Sequence, residues 1–308
     1  MLSTREELLT STVTVGIAAR NEEISIGSIL RQVLDQTEGL ERQILVVSDG
    51  STDHTAEVAA EFPEVELVVH ASPQGKTAAI NAIFRLARNE IVVMIDGDVT
   101  LGPGAVPELL RALRNPGTYA VGARVETIQR QDCLFSRIAE AKSAALNRCR
   151  HDQTQAGHRV YLTGALYAMR RKLIDEFELP PQTVNDDAHL SVLLHRRGYR
   201  FEFCPSALCF VGYPRNLVDL IRQNLRTRIG RRQFPEFPEH LATEPLTRSY
   251  LLRVARQRGD LRMAVMLYLG LDVALRPVAA VAARTSWGRS FHRWTPVAST
   301  KSRPDVAT

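Results

Sequence analysis

The chain has 308 residues, of which 44% are hydrophobic and 6% aromatic. This length and apolar content can fill one large buried core or two smaller ones, which excludes an intrinsically disordered protein. The net charge of +5 is uneven, because segment 215–262 contains eleven arginines and five acidic residues. Such a segment suits nucleic acid, anionic lipid or a phosphorylated substrate, or is a solvated helix surface. Because few aromatic side chains are available for base stacking, we expect no nucleic-acid partner.

The cysteine and N-terminal patterns favour a reducing compartment. Four cysteines form no C-x-x-C pair, and residues 1–9 lack the basic and apolar regions of a signal peptide. The simplest location is therefore the cytoplasm, either free or peripheral at the inner face of the membrane.

From residue 13 to residue 125, β-rich runs alternate with helical stretches, which predicts an α/β fold with a mainly parallel sheet flanked by helices. Strands are predicted at Val13–Ala19, Gln43–Val47, Glu66–His70, Glu90–Ile95 and Tyr119–Arg124, and helices at Ile24–Asp35, Thr55–Glu61, Thr77–Arg88 and Gly104–Leu113. Beyond residue 132 longer helical segments are predicted, interrupted by short strands at Tyr161–Met169 and Tyr199–Cys204.

The apolar stretch Met263–Ala283 is interrupted by Asp272, Arg276 and Pro277. A membrane-spanning helix needs about 20 uninterrupted apolar residues, so this pattern favours a packed helix pair or a helix lying on a bilayer surface. The end of the chain, from Arg284, looks loosely ordered.

The apolar run 91–95 ends in Asp96-Gly97-Asp98. Ligands in open α/β sheets collect beyond the carboxyl ends of the strands, so these two carboxylates lie where chemistry is expected. Paired oxygen ligands suit Mg²⁺ or Mn²⁺ bound together with substrate phosphates, although a D-x-D triplet alone is commonly a solvated turn.

Two earlier strands also end in acidic groups. Glu22 and Asp49 precede the next helix starts, so we favour ligand contact for them, whereas Ser51 and Asp53 are better explained as helix caps. Gly75-Lys76-Thr77 lacks the first glycine of a Walker loop, which leaves Lys76 at a helix N-terminus as an anion-binding or a solvated lysine.

Farther along, Asp186 and Asp187 precede a helical run, where adjacent carboxylates raise one another's proton affinity and suit a general base, or where Asp187 caps the helix. Gln223, Arg226 and Arg228 follow on another predicted helix, and arginine forks can hold a diphosphate leaving group.

In order and spacing, these segments resemble the family 2 glycosyltransferases of the GT-A fold, over residues 13–232. The resemblance rests on the segments AARNEE at 18–23, SDGSTD at 48–53, GKTAAIN at 75–81, DGD at 96–98, TGA at 163–165, the acid pair at 186–187 followed by LHRRGY at 194–199, and Q-x-x-R at 223–226.

The resemblance implies an inverting transfer of a sugar from a nucleoside diphosphate sugar, UDP first and GDP next, to an acceptor hydroxyl. Glu22 and Asp49 would hold the nucleoside, and Asp96 and Asp98 would bind ribose and a divalent cation, Mn²⁺ or Mg²⁺. Asp187, with Asp186 beside it, would be the base. Other substrate contacts are expected from Lys76, Gly164, Gln223, Arg226 and Arg228.

On this basis residues 1–130 form the nucleotide-sugar-binding half, 131–235 the acceptor-binding and catalytic-base half, and 236–308 a helical extension with a loose tail. Two departures stand out: Ser48 replaces a frequent aspartate, and Thr227 replaces the tryptophan of processive members. We therefore expect limited, non-processive transfer to a glycan, a lipid-linked intermediate or a small metabolite, with peripheral membrane contact and homo-oligomerisation as open alternatives.

Two other functions remain open. A nucleotidyltransferase shares the sheet and the acid pair but needs a basic loop after the first strand, where this chain has acidic residues. A non-catalytic nucleotide-sugar-binding scaffold would not need Asp187, and a turnover assay separates it from an enzyme.

Overall fold

The computed structural model describes residues 12–128, 133–157, 162–176, 178–231, 233, 243–282 and 284–285. Within them, eight strands form one sheet that helices flank. The strands are β1 (Val13–Ala19), β2 (Arg42–Asp49), β3 (Val65–His70), β4 (Ile91–Asp96), β5 (Thr100–Leu101), β6 (Thr118–Thr127), β7 (Leu166–Arg170) and β8 (Arg200–Val211). The α-helices are α1 (Ile26–Gln36), α2 (Thr55–Ala60), α3 (Lys76–Leu86), α4 (Ala105–Ala112), α5 (Leu134–Gln155), α6 (Asp186–Arg196), α7 (Leu217–Arg231), α8 (Thr243–Gln257) and α9 (Arg262–Ala282).

The sheet has the order β3-β2-β1-β4-β7-β6-β8-β5. Strands β3, β2, β1 and β4 are mutually parallel, which confirms the expected parallel half. The second half is mixed, because β7 runs antiparallel to both β4 and β6 while β6 and β8 are parallel. One continuous sheet thus joins the two predicted halves, and the division at residues 130 and 235 stays a prediction.

The apolar pattern explains the core of the first half. Every residue of β1 is buried, as expected for a central strand covered on both sides. On α1, Ile26, Ile29, Leu30 and Val33 recur at helical spacing and are fully buried against the sheet.

Two predicted strand boundaries in the second half are wrong. The strand predicted at Tyr161–Met169 begins only at Leu166, and Tyr161 lies outside the described residues. The strand predicted to end at Cys204, before Pro205, continues to Val211. In its pairing with β6, Cys204 lies opposite Ala123 and Leu208 opposite Arg124, so Pro205 falls in a bulge where no backbone donor is required. The two-residue strand β5 was not predicted, because two residues carry no periodic signal.

The C-terminal helices α8 and α9 pack against α5 and α7. Leu251, Leu261 and Val265 form one apolar cluster with α5, and Leu275 and Ala279 form another with α7. Asp272 does not break α9, since its carboxylate pairs with Arg228 of α7 and Arg248 of α8. Pro277 is also accommodated within the helix.

The segment Gly259–Ala282 is long and apolar enough to cross a membrane, with a mean hydropathy of 1.7 and 22% of that window buried. By length and composition this is weak evidence for a span. Its exposed side is nevertheless apolar, and includes Met263, Met266, Leu267, Val273, Val278 and Val281.

Candidate active site

The predicted site residues converge at one edge of the sheet. Because β1 to β4 are parallel, their carboxyl ends meet there. Asp49 ends β2, His70 ends β3 and Asp96 ends β4, while Glu22 follows β1. The Asp96 N–H donates to the carbonyl of Ala165 at 3.0 Å, which brings the loop before β7 to the same edge.

Hydrogen bonds join the loops that follow β1 and β2. The side chain of Asn21, a residue with a positive φ of 54°, accepts from Thr52 N at 2.8 Å. Glu22 N donates to Thr55 Oγ1 at 2.7 Å. The Glu22 side chain is buried and packs against Gly97, where an added Cβ would lie 3.1 Å from Glu22 Cγ. Glu22 therefore adjoins the D-x-D segment.

Asp53 binds a backbone N–H at the start of α2, as expected of a helix cap, but it lies one residue before the N-cap position. Its carboxylate accepts from Thr55 N at 3.1 Å, one residue beyond the His54 that precedes α2, and from Glu23 N at 3.2 Å. Ser51 does not cap α2, since its hydroxyl accepts from Asn21 N at 3.2 Å and from Ser48 Oγ at 2.9 Å. Both residues thus hold the strand-tip loops together.

Asp49 is fully buried and organises the loop between β3 and α3. Its Oδ1 accepts from Gln74 N at 2.9 Å and lies 2.8 Å from His70 Nδ1. Its Oδ2 accepts from Gly75 N at 2.8 Å. The carboxylate is thus surrounded by protein groups, and its predicted contact with a nucleoside stays a prediction.

Lys76, the first residue of α3, links the two halves of the site. Its Nζ lies 2.8 Å from Asp96 Oδ1 and 3.3 Å from Asp186 Oδ2, and its side chain is 13% exposed. Against the effect of burial, the carboxylates of Asp186 and Asp96 raise the pKa of Lys76 above its ordinary value. The anion at this helix start is therefore the protein's own pair of carboxylates, which sequence reasoning missed; a phosphate contact stays a prediction.

Two more residues of the 75–81 segment, one helical turn apart, bind the same neighbouring segment. Thr77 Oγ1 donates to Thr183 O at 3.3 Å. One turn later, Asn81 Nδ2 donates to Leu179 O at 2.7 Å and Asn81 Oδ1 accepts from Leu179 N at 3.0 Å. Since residues four apart share a helix face, α3 holds the segment that leads to Asp186.

Asp98 differs from Asp96 in having no partner among the residues that the structure describes. Its partly exposed carboxylate makes no hydrogen bond or ion pair with the described residues. Burial and the nearby Asp186 and Asp98 raise the pKa of Asp96 to about 7, against the lowering effect of Lys76. No group of three or more His, Cys, Asp or Glu side chains among the described residues could hold a metal. One or two carboxylates with substrate phosphates nevertheless fit Mg²⁺ or Mn²⁺.

The second acid pair begins α6. Asp186 is buried and pairs with Lys76. The Asp187 carboxylate accepts from Ala188 N at 2.7 Å and from Gly164 N at 3.3 Å, so Gly164 contacts the predicted base itself. Burial and the neighbouring Asp186 raise the pKa of Asp187. A raised pKa makes a carboxylate a stronger proton acceptor.

Helix α7 packs on the loop before this acid pair. Arg226 Nη2 lies 3.5 Å from Val184 O, and an added Cβ on Gly230 would lie 2.8 Å from Asn185 Cβ. Against the effect of burial, the pKa of Lys76 is raised by Asp186 and Asp96, and the nearby positive charge of Arg226 reduces this rise, so the guanidinium lies close to Lys76 and its two acidic partners. Gln223 lies one turn before Arg226 and is partly buried. Its backbone carbonyl accepts a hydrogen bond from Thr227 Oγ1 at 3.0 Å.

Arg228 has a different environment. It is 7% exposed, and its guanidinium pairs with Asp272 of α9. Although burial opposes the effect, hydrogen bonds from Arg228 and Arg248 lower the pKa of Asp272. The charge of Arg228 is therefore already matched at a helix interface, and its predicted contact with a diphosphate stays untested.

Sequence reasoning missed two residues near the acids. Arg150 of α5 is 9% exposed. Burial raises the pKa of both Asp187 and Cys209, and the charge of Arg150 reduces this rise in each. Tyr167 of β7 is buried, and burial together with Asp186, Asp96 and Asp187 raises its pKa well above the ordinary value, so its phenol stays neutral. Neither belongs to a short motif, and only the tertiary fold brings them to the acids.

Comparison with known proteins gives a consistent family assignment. A family model described as "Glycosyltransferase like family 2" matches residues 11–230. An N-acetylglucosaminyltransferase of Rhizobium sp. (strain N33) is 26% identical over 230 residues, which cover 70% of this chain and 51% of the relative. The poly-β-1,6-N-acetyl-D-glucosamine synthase of Staphylococcus aureus (strain COL) is 25% identical, covering 71% and 54%. The chain thus spans about half the length of these curated relatives.

Solved structures support the GT-A fold. The mannosyltransferase PcManGT from Pyrobaculum calidifontis, in complex with GDP-Man and Mn²⁺, has a TM-score of 0.53 at 21% identity, covering 91% of this chain and 84% of that one. Glucosyl-3-phosphoglycerate synthase from Mycobacterium tuberculosis, in complex with Mn²⁺ and UDP-glucose, has a TM-score of 0.54 at 21% identity, covering 77% and 85%. At this identity the likeness concerns the fold.

Proposed function

We propose, from the premise that the chain belongs to the glycosyltransferase-like family 2, that it transfers a sugar from a nucleoside diphosphate sugar to an acceptor hydroxyl. The observation that carries this proposal is the junction at Lys76, where the D-x-D segment and the second acid pair meet. A binding scaffold needs no such junction between a donor site and a base.

The strand-tip residues on the donor side of the site suit a nucleotide and a cation. Asp98 has a carboxylate without a partner among the described residues, and Asp96 and Glu22 lie beside it. Mn²⁺ or Mg²⁺ bound at Asp98 would neutralise charge on the diphosphate. Structural neighbours hold GDP-mannose or UDP-glucose with Mn²⁺, which favours GDP or UDP as the nucleotide here.

The acceptor side supports a single displacement. Asp187 has a raised pKa and is held by Ala188 N and Gly164 N, so it can take the proton of an acceptor hydroxyl without changing position. The deprotonated oxygen attacks the anomeric carbon, the bond to the diphosphate breaks, and the anomeric configuration inverts. Arg226, whose charge acts on Lys76, would stabilise the charge that develops on the diphosphate, with Gln223 one turn before it on the same helix.

The acceptor is best matched by an amphiphile at a membrane surface. The exposed apolar side of α9 includes Met263 and Val281, each 66% exposed. Segment 215–262 contains eleven arginines and five acidic residues, and two of these arginines, Arg228 and Arg248, pair with Asp272. Apolar and cationic groups together suit an anionic bilayer. Flotation with phosphatidylglycerol vesicles tests this contact: wild type should float, Met266→Glu/Val281→Glu should not, and equal flotation would contradict it.

The test of the proposed function is a turnover panel. UDP- and GDP-sugars are incubated with purified protein in Mn²⁺, Mg²⁺ or EDTA, and the released nucleoside diphosphate is measured for wild type and Asp187→Asn. Metal-dependent release from one donor, lost in the variant, is the expected result. Tight donor binding without any release would favour the scaffold instead.

A further inference from the structure

The buried Asp49 and its neighbour His70 form a pair that the transfer mechanism does not use. They are aligned residues of adjacent parallel strands, so their side chains lie on the same side of the sheet. His70 Nδ1 lies 2.8 Å from Asp49 Oδ1, while the other two hydrogen bonds to the Asp49 carboxylate come from Gln74 N and Gly75 N.

This arrangement fixes the tautomer of His70. An ionised carboxylate only accepts hydrogen bonds, so in the neutral ring Nδ1 carries the proton and Nε2 keeps its lone pair. Nε2 makes no hydrogen bond with a described residue and is not among the buried nitrogens without a partner. The His70 side chain is 13% exposed, whereas that of Asp49 is 0% exposed. His70 is thus the member of the pair that a ligand at the strand tips can reach.

The loop after β3 explains why Asp49 is covered. Gly50 has a positive φ of 58°, and an added Cβ there would lie 2.3 Å from Pro73 N. The segment that contains Pro73, Gln74 and Gly75 therefore crosses directly over the tip of β2 and closes on the Asp49 carboxylate. His70 lies at the start of this crossing, at the same sheet edge as Glu22 and Asp96.

We infer that His70, oriented by Asp49, reads the base of the donor nucleotide by accepting a hydrogen bond at Nε2. This deepens the proposed function and rests on it. Uracil N3 and guanine N1 each carry a hydrogen that Nε2 can accept, whereas cytosine N3 and adenine N1 are acceptors that would face another lone pair. The pair therefore selects UDP or GDP over CDP and ADP, with Asp49 as a positioning residue.

The test measures the dissociation constants of UDP and GDP, in Mn²⁺, against N3-methyl-UDP and N1-methyl-GDP, which lack the hydrogen. Wild type should bind its preferred nucleotide at least about tenfold more tightly than the methylated form, the effect of one unpaired buried group. His70→Ala should remove this discrimination and leave room for the methyl group. His70→Gln, which can place an amide oxygen near the Nε2 position, should restore part of it.

The control is His54→Ala, since His54 is exposed in the neighbouring loop. It should retain the wild-type ratio. Discrimination that persists in a folded His70→Ala variant would overturn the inference and indicate that Asp49 contacts the base directly; equal binding of normal and methylated nucleotides by wild type would also overturn it. If neither UDP nor GDP binds to wild type in Mn²⁺, the proposed function itself fails, and the inference with it.

Discussion

Replacing Lys76 by methionine removes the charge at the centre of the site while keeping most of the side-chain volume. In wild type, Nζ lies 2.8 Å from Asp96 and 3.3 Å from Asp186, and the three side chains are 13%, 28% and 10% exposed, respectively. Removing one partner of a buried ion pair costs about 3–5 kcal/mol, because the remaining charge is left uncompensated. For a chain of 308 residues, this corresponds to a fall in Tm of about 5–8 °C at pH 7.

The sign of the pH dependence follows from the pKa directions. Lys76 has a raised pKa, so its contribution to stability is fully present below the ordinary lysine pKa and is lost only at higher pH. In Lys76→Met, the pKa of Asp96, already raised to about 7, rises further because its positive neighbour is gone. A buried carboxylate with a raised pKa destabilises the fold once it ionises, so the variant should recover stability as pH falls from 8 to 5.

The assay is thermal unfolding between pH 5 and 8, with Arg85→Met as the control on the same helix. Arg85 pairs with Glu178 at 2.9 Å, but these side chains are 65% and 70% exposed. An exposed pair contributes at most about 1 kcal/mol, so this control should unfold close to wild type. Equal stability of Lys76→Met and Arg85→Met at pH 7, or a Lys76→Met deficit that does not change with pH, would refute the reasoning.

Further predictions concern the base and the α7 contact. Asp187→Asn should lower kcat by about 10²- to 10⁴-fold, because the general base is lost, while the donor dissociation constant stays unchanged. Its Tm should be equal or higher, because a desolvated carboxylate is removed. Loss of donor binding would contradict a base role. In wild type, the acid limb of kcat/KM should have its midpoint above the ordinary aspartate range, and activity should fall as pH falls through it; a midpoint near pH 4 would contradict the raised pKa. Gly230→Ala should lose about 1–3 kcal/mol of unfolding free energy and some activity, because the added Cβ would lie 2.8 Å from Asn185 Cβ. The control Gly270→Ala should keep the wild-type stability, because nothing lies within 4 Å of its added Cβ. Equal stability of the two variants would contradict the close approach of Gly230 to Asn185.

The first half of the fold was predictable because each strand is a short apolar run followed by a turn and a helix with one apolar face. In β1 and α1, the apolar residues that the sequence pattern assigns to the core are the residues that the structure buries. The second half was less predictable, because its strands are interrupted or too short to show a regular alternation of apolar and polar residues. The strand predicted to end at Cys204 continues through a bulge, and the two-residue strand β5 is held by pairing with β8 and by a hydrogen bond from Leu101 N to Gln32.

The site shows a similar division. The strand ends predicted that Glu22, Asp49, Asp96 and Asp98 lie at one edge of the sheet, because parallel strands bring their tips together. The roles of these residues and of Asp187 in a site stay predictions. Spacing could not predict that Lys76 binds the acids themselves, that Arg228 pairs with Asp272, or that Arg150 lies near Asp187. These contacts join residues between 20 and 110 positions apart, and only the packing of α3, α5, α6, α7 and α9 against one another and the sheet determines them.

Calorimetric titration of Mn²⁺, with and without UDP or GDP, tests most directly whether the site at the strand tips holds a nucleoside diphosphate and a cation together. Asp98 is the one carboxylate of the D-x-D segment without a partner among the described residues, so the protein alone should bind the cation weakly. We expect the nucleotide to strengthen Mn²⁺ binding in wild type and the effect to disappear in Asp98→Asn. Mn²⁺ binding that is indifferent to both nucleotides, or a nucleotide effect that survives in Asp98→Asn, would contradict the account.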